Sequence, residues 1–171
     1  MRKPSAVAGS VVFFALAPGV AAGLGPWLLS GWRWGDAAGP VGLTVAVRVL
    51  GALLIAAGLP VLVAAFVRFV TEGLGTPAPV APPERLVVGG LFRYVRNPMY
   101  VAVTATILGQ GLLLWQPVLL IYGLVAGLAM FTFVKVYEEP HLTEQFGEPY
   151  REYRRRVPGW WPRLRPWQPD S

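Results

Sequence analysis

The sequence predicts an all-α fold, an integral membrane helix bundle of about four transmembrane helices with a C-terminal amphipathic interfacial helix. Three observations predict it. Of 171 residues, 54% are hydrophobic and 14% charged, and mean hydropathy is +0.50, more apolar and less charged than soluble domains. Four apolar runs approach the roughly 20 residues that a helix needs to cross the hydrocarbon core. Basic residues gather beside these runs, as the positive-inside rule expects of cytoplasmic flanks.

The first run extends from about Ala6 to Leu29, behind Arg2 and Lys3. Basic residues before an apolar stretch, then the small residues Gly19 to Gly23, also match a cleavable signal peptide. The apolar stretch outlasts a usual signal core, so a retained helix is favoured. The second run covers about Val41 to Val70. Both are rich in Gly and Ala, which lets helix backbones approach closely in lipid, and Pro18 and Pro60 are expected kink points. Arg48 in the second run is read either as a snorkelling side chain or as an intramembrane polar group.

Thr71 to Val88 carries Gly73, Gly75, Pro77, Pro79, Pro82 and Pro83, which excludes regular helix and predicts a crossover. The glycine-broken stretch Leu86 to Phe92 is read as an interfacial turn, either a connector or a wall laying backbone groups against a ligand. The last two apolar runs, about Pro98 to Leu114 and Pro117 to Val134, are separated only by Trp115 and Gln116. Such a short junction forces an antiparallel hairpin. Asn97 precedes a proline and is biased toward extended backbone, so the third helix is expected to start at Pro98.

Beyond Glu139, Leu142, Phe146, Tyr150, Tyr153 and Val157 recur at helical spacing among charges, which predicts a helix on the membrane surface. Gly147 and Pro149 should divide it in two. Pro158 to Pro162 reads as a stop with a tryptophan anchor, followed by a frayed tail. One domain, 1–171, is therefore expected, with two N-terminal transmembrane helices (1–70), a cytoplasmic crossover (71–97), a transmembrane hairpin (98–137) and an interfacial tail (138–171). Both termini and the crossover would face the cytoplasm.

The chain has no cysteine and one histidine, which removes disulfides, thiol nucleophiles and cysteine or multi-histidine metal sites. No metal is expected. The net charge of +6 sits beside apolar segments, a placement that fits an anionic lipid leaflet and not nucleic acid.

If the hairpin forms, the polar cluster at its entrance, Arg93 to Tyr100, meets the cluster at its exit, Lys135 to Glu139. Adjacent carboxylates on a helix point about 100° apart, so Glu138 and Glu139 need not share a target. A carboxylate at a helix C-terminus opposes the dipole, which favours a specific role over a merely hydrophilic helix end. Asn97 is either the side-chain cap of the third helix or an amide that reads an adenine edge. The arginines are either topological anchors or an anion site.

Leu86 to Tyr100, the hairpin, Glu138-Glu139-Pro140-His141-Leu142, Phe146 to Tyr150 and Tyr153 to Pro158 together resemble the isoprenylcysteine carboxyl methyltransferase and phospholipid methyltransferase superfamily, over roughly the second half of the chain. The resemblance implies transfer of a methyl group from S-adenosylmethionine to a lipophilic or membrane-embedded acceptor, an isoprenylcysteine-like carboxylate or a phospholipid-like amine. It implies a cofactor site of Arg96, Asn97, Pro98, Met99, Tyr100, Glu138 and Glu139, with Arg93 and Arg154 as acceptor-binding candidates. The isoprenylcysteine members carry histidine where Asn97 stands, and asparagine cannot titrate near neutrality. Methyl transfer is an in-line displacement that needs alignment and exclusion of water more than a catalytic base. Two alternatives are an NADPH-dependent membrane reductase of the sterol reductase type and a non-enzymatic helix bundle.

Overall fold

The computed structural model describes residues 16–37, 39–73 and 85–168. The start of the first apolar run, on which the choice between leader and retained helix turns, lies outside them, as do residues 74–84 of the crossover. Among the described residues the fold is helical, with no strand.

Helix α1 (Leu16–Ser30) contains a π-turn at Val20–Leu24, and α2 (Val41–Gly73) runs through Pro60. A short 3-10 turn (Gly90–Arg93) leads to α3 (Pro98–Leu113) and α4 (Pro117–Phe133). A second π-turn (Val134–Glu138) carries α4 into α5 (Glu139–Phe146), and α6 (Glu148–Arg156) follows. Proline stands in the first turn of α3, α4, α5 and α6, where its missing N–H costs nothing and its fixed φ starts a helix. The hairpin turns on Trp115 at φ 56, and its end is closed by the Gln116 N–H donating to the Gly111 carbonyl at 2.8 Å. Gly147, at φ 61, divides α5 from α6 at the expected place.

Among the described residues the α2–α3 contact is the most extensive, and small residues make it possible. A Cβ at Gly51 would lie 2.5 Å from the Leu113 nitrogen and 2.6 Å from the Gly109 carbonyl oxygen, and one at Gly58 would lie 2.6 Å from Thr106 Oγ1. The larger side chains face outward: Leu43, Leu50, Leu53, Val63 and Val67 on α2, and Ile121, Leu124, Val125 and Leu128 on α4, are exposed. Leucine outside and glycine inside is the arrangement of a bundle solvated by lipid. Helix α2 and the continuous α4–α5 are long and apolar enough to span a membrane, and α1 and α3 are shorter apolar helices. With 33 residues, α2 is about 50 Å long, more than the hydrocarbon core, so its last turns with Arg68 and Glu72 belong at the polar face.

The π-turn in α1 frees carbonyls that the rest of the bundle satisfies. Tyr122 donates its hydroxyl to the Ala21 carbonyl at 2.9 Å, and Gln110 Nε2 donates to the Ala22 carbonyl at 2.7 Å. Arg48 is tied to the loop after α1, with Nη2 donating to the Gly35 carbonyl at 3.4 Å and the guanidinium 5.1 Å from the centre of the Trp34 ring, a cation–π distance.

Two sequence expectations change at the C-terminal end. The apolar face of α6 turns onto protein: Tyr150, Tyr153 and Val157 are buried with Ala65, Val87 and Phe92 in one core cluster. The expected frayed tail is a strap. Arg96 and Asn97 donate their N–H groups to the carbonyls of Pro158 at 2.9 Å and Gly159 at 3.2 Å, Arg163 N–H donates to the Tyr94 carbonyl, and Trp167 N–H to the Arg93 carbonyl, both at 3.0 Å. The strap satisfies backbone groups at the threshold of α3 that have no partner within a helix.

Candidate functional site

The hairpin, the strap and α6 meet at the foot of α3. There the π-turn Val134–Glu138 changes the helical phase just before the paired carboxylates, a device often found at functional positions. Both acids are used within the protein, for different partners.

Glu139 is buried in an ion cluster. Arg96 Nη1 lies 3.1 Å from Glu139 Oε1, Lys135 Nζ lies 3.0 Å from the same oxygen, and Arg154 Nη2 lies 3.2 Å from Oε2. Arg96 also donates from Nε to the Val157 carbonyl at 2.9 Å and from Nη1 to the Tyr150 hydroxyl at 3.3 Å. The side chains of Arg96 and Glu139 are 8% and 4% exposed, so each charge depends on the other for its solvation. This pair locks α3, α5, α6 and the strap together.

Glu138 has a different setting, accepting a hydrogen bond from the Tyr100 hydroxyl at 3.0 Å through Oε2. Its neighbourhood is aromatic: the Tyr100 and Trp160 rings are 6.5 Å apart, and Phe131 and Trp160 are 5.2 Å apart. Lys135 Nζ stands 6.0 Å from the centre of the Phe131 ring.

Asn97 does not cap α3 with its side chain. Its backbone carbonyl accepts the Val101 N–H at 3.2 Å, its φ is −115° and its ψ 54°, and its own N–H donates to the Gly159 carbonyl of the strap. The residue is 9% exposed, and among the described residues neither its Nδ2 nor the indole Nε1 of Trp160 has a hydrogen-bond partner. Buried donors are seldom left so, at a cost of about 1–3 kcal/mol each.

The other sequence candidates take supporting places. Pro98 is fully buried, and Met99 packs into both core clusters. Arg93 donates from Nε to the Trp167 carbonyl at 2.6 Å, and Arg154 is engaged by Glu139. Tyr153 donates to the Phe92 carbonyl at 2.6 Å. Burial pushes the phenols of Tyr150 and Tyr153 up from their ordinary values, which keeps both neutral. Sequence reasoning missed Gly159 and Trp160 as neighbours of Asn97, because the tryptophans read as a membrane anchor. A Cβ at Gly159 would lie 3.4 Å from Asn97 Nδ2, a proximity no local signal carries.

A second concave region lies at the end of α2, a cleft of about 860 Å³ lined by Arg68, Arg85, Arg93 and the glycine-rich turn at Gly89 and Gly90. Glu72 ties its walls, paired with Arg68 at 2.8 Å and accepting the Gly89 N–H at 3.2 Å. The turn's amide is thus taken by protein, while Arg85 and Arg93, beyond the paired Arg68 and Glu72, leave the cleft net positive and suited to an anion.

A family model described as phospholipid methyltransferase matches residues 46–149, which takes in most of α2, the hairpin and α5. A phosphatidylethanolamine N-methyltransferase of Pyrenophora tritici-repentis (strain Pt-1C-BFP) is 28% identical over 71 residues, 42% of this chain. The matched stretch is 8% of that protein's length.

Proposed function

Since the chain belongs to the phospholipid methyltransferase family, we propose that it transfers a methyl group from S-adenosylmethionine to the amine of a membrane phospholipid headgroup, on the cytoplasmic side of the bilayer. The observation that carries the reading is the juxtaposition at the foot of the hairpin of a carboxylate oriented by a phenol, Glu138 and Tyr100, with the buried and unpartnered amide of Asn97. S-adenosylmethionine brings an electrophilic methyl group on a sulfonium. Its cationic centres suit Glu138, and its oxygen and adenine acceptors suit the amide donor of Asn97, so the residues present fit the group.

In this reading Arg96 and Glu139 frame the site and do not grip the ligand, since their charges are already matched. Pro98 and Met99 seat the first turn of α3, which aims Asn97 and Tyr100. The acceptor's phosphate is assigned to Arg68, Arg85 and Arg93, whose cleft offers cations at the level where headgroups lie. Alignment at this face, with the strap and aromatic rings excluding water, supplies the rate enhancement that an in-line displacement asks of a protein. The phospholipid amine is preferred to an isoprenylcysteine carboxylate because the family description and the name of the fungal relative both point to it.

Calorimetric titration of the purified chain in lipid nanodiscs tests the cofactor. S-adenosylmethionine should bind with one-to-one stoichiometry and NADPH should give no heat of binding. Binding of NADPH in preference to S-adenosylmethionine would replace this reading with a reductase.

A further inference from the structure

We propose that Trp160 is a ligand-binding residue, whose indole N–H works with the Asn97 amide as a donor pair for an oxygen-bearing anionic group while its ring, with Tyr100 and Phe131, flanks an adjoining cation. The proposal rests on the functional reading above and extends it to a residue of the strap.

Two independent features support it. Trp160 Nε1 and Asn97 Nδ2 are buried and without partners among the described residues, although nearly every other polar group around them is paired: the backbone N–H of Asn97 is bonded to Gly159 and the Tyr100 hydroxyl to Glu138. Asn97 sits against the residue next to Trp160, a Cβ at Gly159 lying 3.4 Å from Asn97 Nδ2, and buried donors without partners on both sides of that contact call for an acceptor. The rings of Phe131 and Tyr100 stand 5.2 Å and 6.5 Å from that of Trp160, and the Glu138 carboxylate is bonded to one of them. Aromatic faces beside a carboxylate attract a sulfonium or an ammonium. The complementary ligand is zwitterionic, with an anion for the N–H pair and a cation for the rings. The amino acid end of the methyl donor and a phosphoethanolamine headgroup both have that chemistry, the headgroup case placing its phosphate on the N–H pair in place of the arginine cleft.

Trp160→Phe keeps a ring and removes the N–H, whereas Trp160→Leu removes both. Calorimetry with S-adenosylmethionine and S-adenosylhomocysteine, and the KM for phosphatidylethanolamine in vesicles, separate the two sources. If the donor pair serves the methyl donor, Trp160→Phe weakens both nucleosides about tenfold, and Trp160→Leu also reduces the preference for the sulfonium over the uncharged thioether. If it serves the headgroup, Trp160→Phe raises the lipid KM by a similar factor and leaves nucleoside affinity alone. A merely structural tryptophan predicts an unchanged or raised melting temperature on loss of an unsatisfied donor, with both binding arms unmoved, and that result overturns the proposal.

A readout on the unsubstituted chain guards against a variant that fails to fold. With nitrogen-15 in the indoles, the Trp160 N–H resonance should shift when S-adenosylmethionine or short-chain phosphatidylethanolamine is added, and a resonance that stays in place for both overturns the proposal. Wild-type protein that binds no S-adenosylmethionine rejects the functional reading itself. Wild-type binding of S-adenosylmethionine, with nucleoside affinity and lipid KM both unmoved by Trp160→Phe, rejects only the inference about Trp160.

Discussion

Glu138 and Glu139 show how two identical neighbours come to do different work. Glu139 is surrounded by Arg96, Lys135 and Arg154, so Glu139→Gln leaves a buried guanidinium without its counter-charge and should cost about 3 kcal/mol or more of stability, read from unfolding in detergent. Glu138→Gln should leave the melting temperature nearly unchanged and weaken S-adenosylmethionine about tenfold; the reverse pattern would exchange their roles. Tyr153→Phe strands the buried Phe92 carbonyl that the phenol now satisfies, a loss of about 1–3 kcal/mol with little effect on ligand affinity in the folded fraction. The two acids were legible in the sequence as a pair. Their division of labour was not, because it depends on a π-turn and on partners 38 and 43 residues away.

At the level of elements, the boundaries written in local chemistry were the ones the sequence revealed. Pro98, Pro117 and Gly147 mark helix starts and a break through their own backbone constraints, and α3, α4 and the α5–α6 division follow them. The strap and the π-turn of α1 were hidden, because hydrogen bonds from Arg93 and Arg96 to residues 74 and 61 positions away, and from Gln110 and Tyr122 to Ala22 and Ala21, leave no periodic trace. The side-chain cap reading of Asn97 failed too: its side chain makes no cap hydrogen bond, and its N–H goes to the Gly159 carbonyl of the strap, a partner with no local signal. Removing residues 158–171 should therefore abolish S-adenosylmethionine binding while α2, α3 and α4 stay helical by circular dichroism; full affinity in the truncated chain would show that the strap is dispensable. The α2–α3 crossing is the other sensitive element. Gly58→Leu drives a side chain into Thr106 and the Ala102 carbonyl and should lower the melting temperature, at a cost of about 1–3 kcal/mol of stability if the helices can shift, whereas Leu53→Ala on the exposed face of α2 should be nearly neutral.

For the whole molecule, the outward leucines and valines and the inward glycines are the arrangement of a bundle solvated by lipid, and we propose that the arginines set its orientation. The native chain lacks cysteine, so single cysteines report topology without background. In sealed vesicles an impermeant thiol reagent should label Glu144→Cys only from the cytoplasmic side and Asp36→Cys only from the opposite side; labelling of both from one side would dismantle the hairpin topology on which the site depends. The anion cleft at the end of α2 makes its own demand, since Arg85→Glu should raise the KM for a phospholipid acceptor several-fold and leave S-adenosylmethionine affinity unchanged. The most direct test is incubation of the chain with methyl-tritiated S-adenosylmethionine and phosphatidylethanolamine vesicles, followed by separation of the lipids. Radiolabel should appear on the headgroup amine with wild-type protein and largely vanish with folded Glu138→Gln. Headgroups that stay unlabelled, or equal labelling by both proteins, would contradict the proposed reaction and its site.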